Sequence, residues 1–141
     1  IMTTSPLFPK LFAAGGVASV GLAIYVVDSR QQRPNSAQSK MRHEVADAVS
    51  TAGMKLYGTN WCGYCHKQLQ MFGDAANKIT YVDCTRSDGR RGFSDECSRK
   101  GIRLVPAWGL PDGSIVPGTA SLQALLKTAN DIIATKVEER E

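Results

Sequence analysis

Two cysteines separated by two residues, Cys62-Gly63-Tyr64-Cys65, follow a short apolar stretch at 54–58 and open a helix-patterned stretch that runs to about residue 76. A cysteine at the start of a helix meets backbone N–H groups and the positive end of the helix dipole, and both favour an anion on its sulfur. Only a thiolate attacks a disulfide, so the spacing points to Cys62 as the nucleophile. Cys65, one turn into the helix, would then be the resolving thiol. Trp61, just before the pair, offers a flat apolar face that would shield one side of the site. A strand that ends where a helix begins, with chemistry at the junction, directs the fold search to α/β arrangements.

Other readings compete for these residues. With His66 the string is also Cys-x-x-Cys-His, the attachment signature of c-type haem, although that reading expects a mainly helical pocket rather than strand-like flanks such as KLYG and ITYVD. A zinc site needs four ligands, which Cys84 and Cys97 could complete, but their separation resembles no usual zinc knuckle. A purely structural Cys62–Cys65 disulfide is the third alternative, and His66 reads otherwise as a solvent-facing helix residue. No residues point to a bound metal, nucleotide, flavin or other cofactor.

Residues 11–27, LFAAGGVASVGLAIYVV, carry neither charge nor proline and are bounded by Lys10 and Asp28. Such a run lies at the short end of what crosses roughly 30 Å of hydrocarbon as a helix, so the expectation is one N-terminal transmembrane helix within 1–27. The alternatives are a cleaved signal peptide and a buried helix. Gly15, Ser19 and Ala23 recur every four residues, a stripe of small side chains on which a membrane-embedded protein neighbour could pack closely. Residues 28–40 are polar and read as a linker, and 41–141 as the globular domain.

Within that domain the pattern predicts a helix at 41–50, a strand at 54–58, a helix at 62–76 and a strand at 80–83. A short helix at 94–100 ended by Gly101, strands at 107–110 and 114–116 around Pro111-Asp112-Gly113, and a helix from 121 complete the order. Ser121 is placed to cap that last helix, whose Leu122, Leu125, Leu126, Ile132 and Ile133 form its apolar stripe. The expected fold is α/β, with a mixed sheet flanked by helices. An apolar fraction of 43% and a charged fraction of 21% fit a globular chain and exclude fibrous and wholly disordered classes. The net charge of +4 is not gathered into basic runs interleaved with aromatics, so no nucleic-acid partner is expected.

The stretches LYGTNWCGYCHKQLQMFG, YVDC, ECSRKGIRLVPAW and DGSIVPGTASLQAL together resemble the thioredoxin-like family. They are most similar to the thioredoxin domain of bacterial and plant vitamin K epoxide reductase homologues. The resemblance implies that Cys62 and Cys65 are catalytic, that Pro106 is a cis-proline beside them, and that Trp61, Val105 and Pro106 contact an extended substrate chain. It also implies a structural disulfide between Cys84 and Cys97. Where thioredoxins carry a buried acid in the first core strand this chain has Leu56, and its Gly-Tyr dipeptide implies neither a strongly reducing nor an isomerase-like potential.

Two functions follow as expectations. One is a membrane-anchored thiol–disulfide oxidoreductase that exchanges disulfides with protein substrates or with a membrane redox partner. The other is an accessory subunit of a large photosynthetic or respiratory membrane complex that keeps the fold as scaffold. A retained Cys84–Cys97 disulfide implies an oxidising compartment, foremost the thylakoid lumen, with the periplasm and the mitochondrial intermembrane space as alternatives. Arg30, Arg33, Lys40 and Arg42 after the apolar run, against Lys10 before it, pull the other way under the positive-inside bias.

Overall fold

The structure is a computed structural model and describes residues 36–141. The apolar run at 11–27, its small-residue stripe and most of the polar stretch at 28–40 lie outside the described residues. No helix among the described residues is long and apolar enough to cross a membrane.

Helix α1 spans Ser36–Ala52 and leads into strand β1, Lys55–Gly58. Helix α2, Gly63–Gln70, and a 3-10 helix, Gly73–Lys78, connect to β2, Tyr81–Asp83. The short helix α3, Asp95–Arg99, precedes β3, Ala107–Gly109, and β4, Ile115–Pro117, and α4, Leu122–Glu138, closes the chain. The four strands form one mixed sheet in the order β2-β1-β3-β4. β1 runs parallel to β2 and antiparallel to β3, and β3 and β4 form an antiparallel hairpin. The mixed α/β class expected from the sequence is therefore the observed one.

Because successive strand residues point to opposite faces, the sheet separates two cores. Leu56 and Trp108, paired across β1 and β3, face one side, where they join Val45 and Val49 of α1, Phe72, and Leu122 and Leu125 of α4. The Phe72 and Trp108 rings meet edge to face with centroids 6.3 Å apart. Tyr57 and Ala107, the next pair along, face the other side with Cys84, Cys97 and Ile102.

Two expectations from local pattern need correction. Residues 36–40, read as the end of a polar linker, are helical, and α1 extends beyond 41–50 at both ends. Ala37, Gln38 and Lys40 are tolerant helix residues, and a tertiary anchor holds the first turns. The Ser39 hydroxyl donates to the Asp74 carboxylate at 3.0 Å, and His43 Nε2, one turn on, lies 3.2 Å from the same group. His43 and then Ser39 hold the Asp74 carboxyl below the usual carboxylate range. The helix expected over 62–76 is broken: α2 stops at Gln70 and the chain tightens into the 3-10 turn. Gly73 has φ +54°, and the Arg42 guanidinium occupies the place a side chain there would need. A left-handed residue ends a helix, and glycine adopts that conformation without steric penalty.

Candidate functional site

The site grows out of the β1–α2 junction. Cys62 caps α2 with an extended backbone, and its Sγ accepts the Cys65 N–H at 3.1 Å. That donor and the helix terminus direct positive potential at the Cys62 sulfur, an environment that favours a thiolate there. Cys62 and Cys65 are bonded to each other. Cys65 is fully buried, whereas Cys62 keeps 6% of its surface exposed and is the outer sulfur of the pair.

The segment before β3 crosses beside them. The Val105–Pro106 peptide is cis, Pro106 is buried, and the Val105 carbonyl oxygen lies 3.6 Å from Cys62 Sγ. In the dithiol form, a Cys62 thiol is placed to donate to this carbonyl. The structure thus brings Trp61, Cys62, Cys65, Val105 and Pro106 to one end of the sheet. Cys84 and Cys97, both fully buried, are bonded to each other on the Tyr57 side. They close a loop whose ends are further tied by the Ser94 N–H to the Cys84 carbonyl at 2.8 Å and the Cys84 N–H to the Gly58 carbonyl at 2.7 Å.

That loop carries one wall of the site. The Phe93 ring packs against Trp61 at 6.2 Å between centroids, and Arg91 lies over the other ring system of the pair, 5.5 Å from the Trp61 centroid. Asp88 pins the loop by accepting from the Arg86 guanidinium and from the Arg90 N–H, and the Arg86 contact first of all pulls its carboxyl down to about 2. Among the described residues no three His, Cys, Asp or Glu side chains converge as a metal site. His66 is exposed on α2.

Three contributors were invisible in the sequence. Gln68, on the inward face of α2, is fully buried and brackets Ala120: its Nε2 donates to the Ala120 carbonyl at 3.1 Å and its Oε1 accepts the Ala120 N–H at 2.7 Å. This fixes the cysteine helix to the segment that enters α4. Gly58 and Tyr81 act together. A side-chain carbon on Gly58 would stand 3.0 Å from Cys65 Sγ and collide with the Tyr81 hydroxyl. The phenol and the inner sulfur therefore face the same gap over the Gly58 backbone. Burial, and then the neighbouring Asp83 carboxylate, push the Tyr81 phenol above its ordinary value of 10. Tyr81 reads in the sequence as one more strand residue. Its only signal is the glycine two residues beyond its register partner Leu56 on the adjacent strand, where β-propensity would not choose one.

No family model matches the chain. The chain is similar to Thiol-disulfide oxidoreductase LTO1 of Arabidopsis thaliana, with 30% identity over 94 residues. The match covers 64% of this chain and 25% of that protein, so the chain corresponds to about a quarter of its relative's length. With two cysteine pairs at disulfide distance, this similarity supports a redox protein of the thioredoxin-like kind.

Proposed function

We propose that the chain is a thiol–disulfide oxidoreductase working through Cys62 and Cys65. One observation carries the reading: the outer sulfur of a bonded pair caps a helix, accepts a backbone N–H and lies 3.6 Å from the Val105 carbonyl oxygen. A substrate thiolate attacks Cys62 Sγ, the bond to Cys65 breaks, and Cys65 leaves as a thiolate. The substrate's second thiolate then attacks its own sulfur in the mixed disulfide and releases Cys62 as a thiolate, leaving substrate disulfide and protein dithiol. In the opposite direction the Cys62 thiolate opens a substrate disulfide, and Cys65 attacks Cys62 Sγ to release the reduced substrate. Trp61, Val105 and Pro106 hold the substrate chain beside the exchanging sulfurs.

Leu56 supplies no acid or base near Cys65. We propose that Tyr81, whose hydroxyl stands on the same side of the Gly58 backbone as Cys65 Sγ, becomes the donor to that sulfur once the disulfide opens; burial and the Asp83 carboxylate push its phenol up, so it keeps its proton. Its O–H stabilises the Cys65 thiolate as the disulfide opens. Tyr81→Phe removes that donor and keeps the ring. A hydrogen bond to a charged group contributes about 1.5–3 kcal/mol, so resolution of a mixed disulfide is expected to respond by roughly tenfold, with its pH profile displaced upward. An unchanged pH profile would reduce Tyr81 to a packing residue.

The apolar run at 11–27 anchors the domain to a membrane, its Gly15, Ser19 and Ala23 meet an embedded neighbour, and the domain faces an oxidising space, the thylakoid lumen foremost. The composition of that run and the buried Cys84–Cys97 bond support this placement. The test is labelling with a membrane-impermeant maleimide over a series of redox buffers, on native membranes before and after the compartment is opened. Reversible labelling of Cys62 only after opening is expected. Labelling of sealed membranes would sink the placement. A Cys62 that stays unreactive until the surrounding assembly is dismantled would favour a scaffold subunit instead.

A further inference from the structure

The rim around Cys62 combines exposed apolar side chains with cations. Trp61, Tyr64 and Leu104, which flank the cysteine pair and Val105 in the chain, expose 38%, 65% and 58% of their surfaces. Two of them have a cation over the ring: Arg91 stands over Trp61 and Lys67 Nζ is 5.0 Å from the Tyr64 ring centroid, while Arg103, next to Leu104 in the chain, donates to the Ser98 and Ile102 carbonyls. Residues 59–73 and 97–111 contain no Asp or Glu, and of the two carboxylates that open α3, Asp95 and Glu96, the second is paired with Lys100. Carboxylates of the neighbouring loop are already engaged, Asp83 by Thr85 and Asp88 by Arg86. Arg91, Lys67 and Arg103 take part in no ion pair among the described residues.

Resting on the oxidoreductase reading, we infer that the partner of this site is an acidic protein segment, in which a reacting cysteine is flanked by carboxylates and by an apolar side chain. A rim of one sign raises the local concentration of oppositely charged partners and repels like-charged ones. The apolar surface then covers the exchanging sulfurs from water as the complex forms. An anionic lipid surface would match the same charges and aromatics. The position of the disulfide argues against it, since a bilayer seated on Trp61 and Tyr64 would block the approach of any thiolate to the small exposed part of Cys62.

The experiment uses the full oxidised chain in an uncharged detergent. Two dithiol peptides identical except for Asp and Glu or Lys and Arg around their cysteines serve as electron donors, with dithiothreitol as an uncharged one. In each reaction a donor thiolate attacks Cys62 Sγ and expels the Cys65 thiolate. The donor's second thiolate then breaks the mixed disulfide, leaving donor disulfide and protein dithiol. Two electrons pass to the protein, and the protons lost by the donor thiols go to the cysteines or to solvent. At low ionic strength the acidic peptide is expected to react roughly tenfold faster than the basic one, the gap closing as salt is added. Combined Lys67→Glu and Arg91→Glu is expected to invert the order.

Equal peptide rates with normal dithiothreitol reduction would overturn the acidic partner and leave the redox reading standing. No reduction by dithiothreitol would overturn both. Anionic vesicles that bind the protein and slow both peptides would replace the protein partner with a membrane surface.

Discussion

Cys65→Ser is expected to hold the protein covalently attached to its substrate, while Cys62→Ser abolishes exchange and forms no adduct. The asymmetry follows from the geometry. Cys62 is the outer sulfur and accepts the helix N–H, so on the proposed function it is where the mixed disulfide is expected to form. Cys65 has no exposed surface and can act only on the sulfur beside it. Without its thiolate the intermediate has no intramolecular exit, and a serine hydroxyl does not displace a thiolate from a disulfide. Non-reducing electrophoresis of cells expressing the Cys65→Ser chain should show a shifted band that collapses on reduction. An equal yield of adduct from Cys62→Ser would reverse the assignment of the two roles, and a yield from neither would remove the site from the chemistry.

The second large effect concerns the other pair. Cys84 and Cys97 are 13 residues apart in the sequence, and closing a loop of that size removes about 3 kcal/mol of denatured-state entropy. Replacing both with alanine is expected to lower the thermal midpoint by on the order of 15 °C, since a domain of this size loses several degrees per kcal/mol. The loss should reach the site as well, because the loop between the two cysteines carries Phe93 against Trp61 and Arg91 above it. Thermal unfolding followed by circular dichroism, with the Cys62→Ser, Cys65→Ser pair as reference, provides the measurement. That reference is expected to fall by less, because its short loop is closed at little entropic expense. A drop of less than a few degrees in the Cys84, Cys97 variant would mean that sheet packing alone holds the loop.

The two predictions separate functions that a single count of cysteines would merge. One pair sits where a strand hands over to a helix and stays partly open. The other is sealed in a core and stitches a loop to the Gly58 backbone through the Cys84 N–H.

Much of this architecture was readable locally. Ser94 and Ser121 accept the N–H groups of Cys97 and Ala124 as N-caps, and Gly101 follows α3 with φ +88°. Leu122 and Leu125 are buried, with Leu126, Ile132 and Ile133 packed against them. Caps, turns and periodicity act over a few residues, so the chain declares them without knowing its fold. The cysteine pair declares its helix start in the same way.

Where the sequence misled, a contact from far along the chain decided the outcome. Composition made residues 36–40 a linker, and Asp74, some 35 residues away, made them helix. Apolar spacing made 62–76 one helix, and the side chain of Arg42 pressing on Gly73 helped divide it. Gln68 reads as a polar surface residue until Ala120, 52 residues on, supplies both of its partners.

The sequence by itself determined the order of strands and helices, the caps that bound them and the placing of Cys62 and Cys65 at a strand-to-helix junction, because each rests on interactions between near neighbours. Tertiary structure alone decided which side chains share that end of the sheet. The register of β1 with β2 and β3 sets the Tyr81 phenol over the Gly58 backbone and lays Val105 beside Cys62, and closure of the Cys84–Cys97 loop brings Arg91 over Trp61. Those meetings depend on strand pairing and loop closure across tens of residues, a relation that no local pattern encodes.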